Sequence, residues 1–119
     1  MSQFYTDRQL EQFAGEFDEQ GFLRIEDAVD ADQLLHFNAA IDRHRLAFPD
    51  RWVELSDLFC EGTNVLPDTA DFDEAIENPR VLDILRRIIG EEITFEEFAI
   101  MLREPTANLD EIKGWHRDI

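Results

Sequence analysis

Apolar residues recur at helical spacing near the start of the chain, where Leu10, Phe13 and Phe17 lie three and four positions apart. Residues with this spacing share one face of an α-helix, so the pattern indicates an amphipathic helix. The capping-box sequence TDRQ begins at Thr6, whose hydroxyl can accept a hydrogen bond from a first-turn amide. The first glycine after Phe17 can end the helix in a left-handed turn. Together these signals predict a helix over about 7–20.

A second helix is predicted from Asp30, in the N-cap position, to about Arg45. The Phe48-Pro49 pair then ends it, because a residue that precedes proline disfavours helical backbone angles. The residues predicted to face inward are Leu34, Phe37 and Ile41.

A third helix is predicted after Asn78, an N-cap residue followed by proline at the first helical position. Gly90 terminates it. Its apolar residues make it a strongly apolar helix; they are Val81, Leu82, Ile84, Leu85, Ile88 and Ile89.

Strands are predicted where β-branched and aromatic residues cluster between turn residues. A short strand is expected over 22–25 and a longer one over 92–102, which Pro105 closes. The stretch 51–69 contains glycine, asparagine and proline, and it is predicted to be a loop or a short-strand region. After a polar loop, a last strand is expected to carry the final residues. The whole chain is therefore predicted to be one α+β domain.

Charge and cysteine content exclude several classes of function. The chain has 28 acidic and 11 basic residues among 119, a net charge of -17, whereas nucleic acids and anionic membranes require a basic surface. Cys60 is the only cysteine, so no disulfide framework or cysteine-based zinc site is expected, and a reducing compartment is favoured. The sequence has no signal-peptide pattern and no apolar run of membrane-spanning length. We therefore expect a cytoplasmic protein that binds neither nucleic acid nor membrane.

The most informative chemical pattern is the pair His116 and Asp118. On a strand, alternate side chains point to the same face, so this imidazole and this carboxylate would project together. One imidazole and one carboxylate are two of the three ligands of the facial triad that holds non-haem Fe(II) with open positions for oxygen chemistry. The pair is therefore a candidate half of an iron site.

Other interpretations of the histidines are weaker. His116-Arg117-Asp118 also matches a protein-kinase catalytic loop, but that family requires a glycine-rich loop and a strand lysine upstream, whereas Lys113 is the only lysine. His36 and His44 lie eight residues apart on the second predicted helix and are expected to be half-buried or surface side chains.

Four segments in their order along the chain carry a resemblance to a known family; they are FDEQGFLRIEDAVDADQL, NPRVLDILRRIIGEEITF, FAIMLREP and GWHRD. In this order they resemble the N-terminal part of the phytanoyl-CoA dioxygenase family of Fe(II)/2-oxoglutarate oxygenases. The resemblance covers essentially the whole chain. It implies helices, over about 1–90, packed on the first strands of a double-stranded β-helix of the jelly-roll type, over about 92–119.

The same resemblance implies roles for particular residues. His116 and Asp118 would be metal ligands, and Ile100 and Leu102 would line the pocket of the co-substrate 2-oxoglutarate, with Phe98 on the same face of the strand. Because related halogenating enzymes replace the carboxylate with a small residue, Asp118 indicates hydroxylation of a small organic substrate. The family also supplies a distal histidine and an arginine that pairs with 2-oxoglutarate, and neither follows within these 119 residues.

Two hypotheses follow from the sequence. In the first, the chain is a piece of an Fe(II)/2-oxoglutarate hydroxylase, inactive by itself, whose unpaired strands favour self-association. In the second, it is a non-catalytic acidic α+β module that binds a partner chain, and His116 and Asp118 are ordinary polar residues.

Overall fold

The computed structural model describes residues 4–105. Within this range the protein is α+β, as predicted, with helices preceding and flanking a three-stranded sheet. The elements in chain order are α1 (Asp7–Gln20), α2 (Ala31–Ala47), β1 (Trp52–Ser56), β2 (Phe59–Thr63), α3 (Asp73–Ile76), α4 (Pro79–Ile89) and β3 (Ala99–Arg103), with single 3-10 turns at Pro49–Arg51 and Leu66–Asp68. None of the helices in this range is both long and apolar enough to cross a bilayer.

Local capping determines where α1 and α2 begin. The backbone N–H of Gln9 donates to Thr6 Oγ1 at 3.2 Å, and the Thr6 N–H donates to Gln9 Oε1 at 2.9 Å, which completes the predicted capping box. Asp30 and Gln33 form the same reciprocal pair at the start of α2, with distances of 2.8 and 3.0 Å. Gly21 ends α1 with φ of 78°, a left-handed angle that glycine adopts without strain. The predicted bounds of α1 are confirmed, and α2 runs two residues beyond Arg45.

Helix α4 begins at the predicted N-cap. The Asn78 side chain accepts from the Arg80 N–H at 3.1 Å, and its Nδ2 donates to the Ala28 carbonyl oxygen at 2.7 Å, which satisfies this buried amide. Helices α1 and α4 pack against each other around buried Leu10 and Ile84. The apolar faces of both helices therefore contribute to this contact.

The sheet is antiparallel throughout, in the order β1-β2-β3. Trp52 lies opposite Gly62, and Gly62 lies opposite Ile100, so these three positions share one face of the sheet. The register of β1 against β2 shifts between Glu54 and Ser56, next to the tight turn that joins the two strands. The sheet is open, with β1 and β3 as its edge strands among the described residues.

The main hydrophobic core lies between α2 and this face of the sheet. Four buried residues form its centre, and six partly buried residues pack around them. The central residues are Ala40, Val65, Phe72 and Ile100, and the surrounding ones are Phe37, Ile41, Trp52, Leu66, Phe98 and Leu102. Predicted inward residues Phe37 and Ile41 are therefore confirmed, as is the common side of Phe98, Ile100 and Leu102.

Three predictions about these elements are wrong. The segment 22–25 is not a strand: none of the strands within residues 4–105 pairs with it, and the Phe22 side chain is 62% exposed. The strand predicted over 92–102 begins only at Ala99, where pairing with Thr63 begins. Leu34 is 55% exposed instead of facing inward, because α2 turns the face of Ala40 and His44 toward the core.

The region 51–69 contains the hairpin of β1 and β2 and one 3-10 turn, which confirms its short-strand alternative. The last predicted strand, with the polar loop before it, lies outside the described residues.

Candidate functional site

The predicted metal ligands His116 and Asp118 lie outside the described residues. Within residues 4–105, no group of three or more histidine, cysteine, aspartate and glutamate side chains is placed to hold a metal ion.

The two residues predicted to line the co-substrate pocket occupy different environments. Ile100 is 9% exposed and belongs to the centre of the core. Leu102, two residues farther along β3, packs at the edge of the core and also borders an open groove. Leu102 therefore borders this groove, whereas Ile100 is packed within the core.

This groove runs between α2 and the β1-β2-β3 sheet and has a volume of about 530 Å³, within the range of small-molecule sites. Its floor includes Leu102 and its cross-strand partner Cys60, and its walls carry charges of both signs. The charged lining residues are Asp42, Arg45, Glu54, Asp57, Arg103 and Glu104. Such a lining suits a ligand that carries polar or charged groups as well as an apolar part.

A second group of side chains, which the sequence did not single out, surrounds His44. This imidazole is 3% exposed, although it was predicted to be half-buried or at the surface. Its Nε2 lies 2.9 Å from Asp68 Oδ2, and the Trp52 indole N–H donates to its Nδ1 at 3.0 Å. Arg51 donates twice to the same carboxylate, from Nε at 3.0 Å and from a terminal nitrogen at 3.1 Å. The cluster joins α2 to β1 and to both 3-10 turns.

The tautomer of His44 follows from these partners. An indole N–H can only donate, so Nδ1 must present a lone pair to Trp52. The proton of the neutral ring is then on Nε2, where it is donated to Asp68. Each ring nitrogen therefore has one partner of the matching kind.

Asp68 is held as a carboxylate. The hydrogen bond from Arg51 holds the pKa of the Asp68 carboxyl below its usual range, and the hydrogen bond from His44 acts in the same direction against the opposing effect of burial. The same contact raises the pKa of the Arg51 guanidinium. The result is a partly buried ion pair between Arg51 and Asp68, with the His44 imidazole hydrogen-bonded to the carboxylate.

The burial of His44 had a signal in the sequence. Positions 37, 41 and 44 are separated by four and three residues, so His44 continues the inward face that Phe37 and Ile41 predicted. Its partners could not be predicted, because Asp68 lies 24 positions farther along the chain.

His36, the other described histidine, is exposed and lies in a different setting. Its Nε2 is 3.0 Å from the Asp71 backbone oxygen, and the Asp71 carboxylate accepts from Arg43 at 3.2 Å. The Arg43 hydrogen bond lowers the pKa of Asp71, with a smaller contribution from the Thr69 hydroxyl. This group lies at the surface and does not join the core cluster.

Comparison with known proteins gives no match, since no protein-family model, no curated protein and no solved structure matches this chain.

Proposed function

We propose that this chain carries two iron ligands of an Fe(II)/2-oxoglutarate-dependent hydroxylase, namely His116 and Asp118. The observation that carries the proposal is the His-x-Asp spacing in the segment GWHRD, at the end of four segments that resemble one oxygenase family in their order. Imidazole with carboxylate is the donor set that suits non-haem Fe(II). Retention of the carboxylate at position 118 favours hydroxylation over halogenation.

When bound, iron and 2-oxoglutarate would supply oxygen activation, coupled to decarboxylation of the co-substrate to succinate. The activated oxygen would hydroxylate a carbon of a small organic substrate. The contribution of this chain is position and exclusion of water. His116 and Asp118 would hold the metal from one side, which leaves adjacent positions for the 2-oxo acid. Their spacing on an extended segment would set the angle between the two ligands.

The jelly-roll fold is part of the same proposal. It is supported by the layout of the described residues, in which α2 packs on one face of an open antiparallel sheet. In a barrel of this kind the sheet would continue from the edge strands β1 and β3. Leu102 is the better candidate for the wall of the 2-oxoglutarate pocket because it borders a groove, whereas Ile100 would support that wall from within the core.

His44 is a less favourable third ligand than His36. Both of its ring nitrogens are engaged, with Trp52 and with Asp68, and its side chain is buried. Binding iron there would require breaking one of these contacts and leaving a buried polar group unpaired, at a cost of roughly 1–3 kcal/mol. Of the chain's three histidines, this leaves His36 as the one further side chain to test.

The proposal is tested by titrating Fe(II) into the 119-residue chain without oxygen, with and without 2-oxoglutarate, in a calorimeter. We expect weak binding because two protein ligands replace three, and we expect His116→Ala and Asp118→Ala each to reduce it by at least about tenfold. Arg117→Ala is the matched control, since on a strand this residue would face the other way. Unchanged iron affinity in both alanine variants, or equal loss in Arg117→Ala, would contradict the assignment.

Catalysis is measured separately, as Fe(II)-dependent formation of succinate from 2-oxoglutarate. We expect none from the 119-residue chain, and turnover from a form of the protein that also carries a third metal ligand. In that form, His116→Ala and Asp118→Ala should abolish turnover while circular dichroism stays unchanged. Full turnover in either variant would remove the iron hypothesis.

A non-catalytic binding module is the second candidate, and the surface of the sheet favours it. Val53 and Met101, on the face opposite α2, are 53% and 56% exposed. Exposed apolar residues on an open sheet are typical of protein-binding surfaces. If the chain is a complete binding module, it should be a monodisperse monomer that unfolds cooperatively. Self-association together with a non-cooperative unfolding transition would favour a sheet that continues in a larger domain.

A further inference from the structure

We propose that the contact between His44 and Trp52 is an acid-sensitive latch between α2 and the sheet, closed when the imidazole is neutral and opened when it is protonated. The latch is independent of the proposed iron site, since it shares no residue with it. It rests on the donor and acceptor pattern around one buried ring.

The hydrogen bonds of His44 suit its neutral form at one ring nitrogen and its protonated form at the other. The Trp52 indole N–H points at Nδ1 of His44 from 3.0 Å and can only donate. Protonation of the imidazole places a second N–H at Nδ1, so two donors would face each other across this distance. The Nε2 side behaves in the opposite way, because a protonated ring donates to the Asp68 carboxylate more strongly than a neutral one. Acid therefore keeps His44 on Asp68 and releases Trp52.

The charged groups near the His44 ring and its partner Trp52 are Asp68, Arg51 and Arg45. Asp68 is the carboxylate that contacts His44, and it is already paired with Arg51 through two hydrogen bonds. On the far side of the latch, the Arg45 guanidinium lies 5.6 Å from the centre of the Trp52 ring. The remaining faces of His44 meet the apolar rings of Phe48 and Phe72. A protonated His44 would thus leave one uncompensated positive charge in a nearly closed site.

Trp52 lies on β1, where it contacts both α2 and the neighbouring strand. Its indole lies flat against Gly62 on the neighbouring strand, where a Cβ atom would approach three ring carbons to 2.8 Å. It also packs against the core that joins α2 to the sheet. An indole that loses its hydrogen bond to α2 is free to leave this position, which loosens the joint between the helix and the strands. A second groove, next to the one described above, is lined by Trp52 together with Asp42 and Arg45, so release of the ring changes the shape of this second groove.

The test begins with the Trp115→Phe variant, in which Trp52 is the only remaining tryptophan. Long-range proton–nitrogen NMR spectra report the tautomer and the protonation of His44, while the indole N–H resonance and the fluorescence report Trp52. At neutral pH we expect the Nε2-protonated tautomer. The pH is then lowered from about 8 to 5, the range in which histidine side chains in general change charge, and we expect the indole signals to shift together with any protonation of His44.

Two variants isolate the latch. His44→Gln supplies one acceptor and one donor, as the neutral ring does, but cannot be protonated in this range, so its indole signals should lose their dependence on pH. Trp52→Phe keeps a ring on Gly62 and removes the opposing donor, so His44 should protonate at a higher pH than in the parent. His36→Gln is the matched control, because His36 is exposed and does not contact Trp52, and it should respond to pH like the parent.

Coincident titration of His44 and the indole, present in His36→Gln and absent in His44→Gln, would establish the latch. Three results would overturn it: protonation of His44 with no change at the indole, an indole transition that persists in His44→Gln, or a ring that stays neutral until the protein unfolds. If His44→Gln does not fold, the direction of the shift in Trp52→Phe decides the question.

Discussion

The two faces of the three-stranded sheet differ sharply in what covers them. On the face toward α2, Ile100 is 9% exposed and lies among the core residues. On the opposite face, Val53, Glu61 and Met101 lie side by side across the three strands, and the two apolar members of this row are more than half exposed. Adjacent residues of one strand thus meet either a close-packed core or solvent.

The difference shows where the stability of the described region is concentrated. Burial of apolar area stabilises a fold in rough proportion to the area removed from water, so the α2 side contributes and the opposite face does not. Phe59 is an exception on that opposite face, since it is 9% exposed and the Arg103 guanidinium lies 4.2 Å from its ring centre. Substitutions on the two faces should therefore have very different effects.

The largest difference is expected between Phe72→Ala and Met101→Ala. Phe72 is 2% exposed at the centre of the core, so its truncation removes packing and leaves a cavity, at a cost of about 3–5 kcal/mol in the free energy of unfolding. Met101 is 56% exposed, and its truncation should change that free energy by no more than about 0.5 kcal/mol. Urea unfolding followed by circular dichroism measures both. Similar losses in the two variants would mean that the opposite face is covered in solution.

A smaller loss is expected from Gly62→Ala. The added methyl group would meet the Trp52 ring at 2.8 Å, so the indole must move or the strands must separate, at about 1–3 kcal/mol. Gly15→Ala is the control: this glycine lies inside α1, no neighbour is within 4 Å of a Cβ atom there, and alanine should stabilise the helix by about 0.5–1 kcal/mol. Thermal unfolding of both variants separates the effect of the Trp52 contact from a general effect of adding a methyl group. A Gly62→Ala variant as stable as the parent would show that the indole is not held against this strand.

The smallest effect concerns pH. The pKa of Asp68 is lowered in the folded state, chiefly by the Arg51 hydrogen bond, so its carboxylate stabilises the fold above the ordinary aspartate pKa of about 3.9. This contribution is lost as the pH falls below about 4 and through the lowered folded value. Asp68→Asn should therefore be less stable than the parent at neutral pH and approach it at pH 2–3, as measured by urea unfolding across this range.

Asp71→Asn provides the comparison for this pH effect. The pKa of Asp71 is also lowered by an arginine, but its pair with Arg43 lies at the surface, where salt screens it. The loss of unfolding free energy in Asp71→Asn at neutral pH should be smaller than the loss in Asp68→Asn, and it should shrink in high salt. Equal losses in the two variants would show that partial burial does not strengthen the Asp68 pair.

Features that depend on residues close together along the chain could be predicted from the sequence, whereas features that depend on distant residues could not. The bounds of α1 and the N-caps of α2 and α4 were predicted correctly because capping uses residues two or three positions apart. The strand predicted over 22–25 was wrong because a strand also needs a partner, and the composition of a segment does not supply one. For the candidate site, the pair His116 and Asp118 stays a prediction of the sequence, while the different settings of Ile100 and Leu102 came only from the structure.

The sequence by itself determined the α+β class, the starts of α1, α2 and α4, and the acidic character of the chain, because each depends on composition or on neighbours along the chain. Tertiary structure alone decided which face of the sheet is buried and what surrounds His44. The partners of that ring are Trp52 and Asp68, which reach its two nitrogens from other elements of the fold. A helical pattern can indicate that a residue faces inward, whereas its protonation and its partners depend on what the rest of the fold brings to that face.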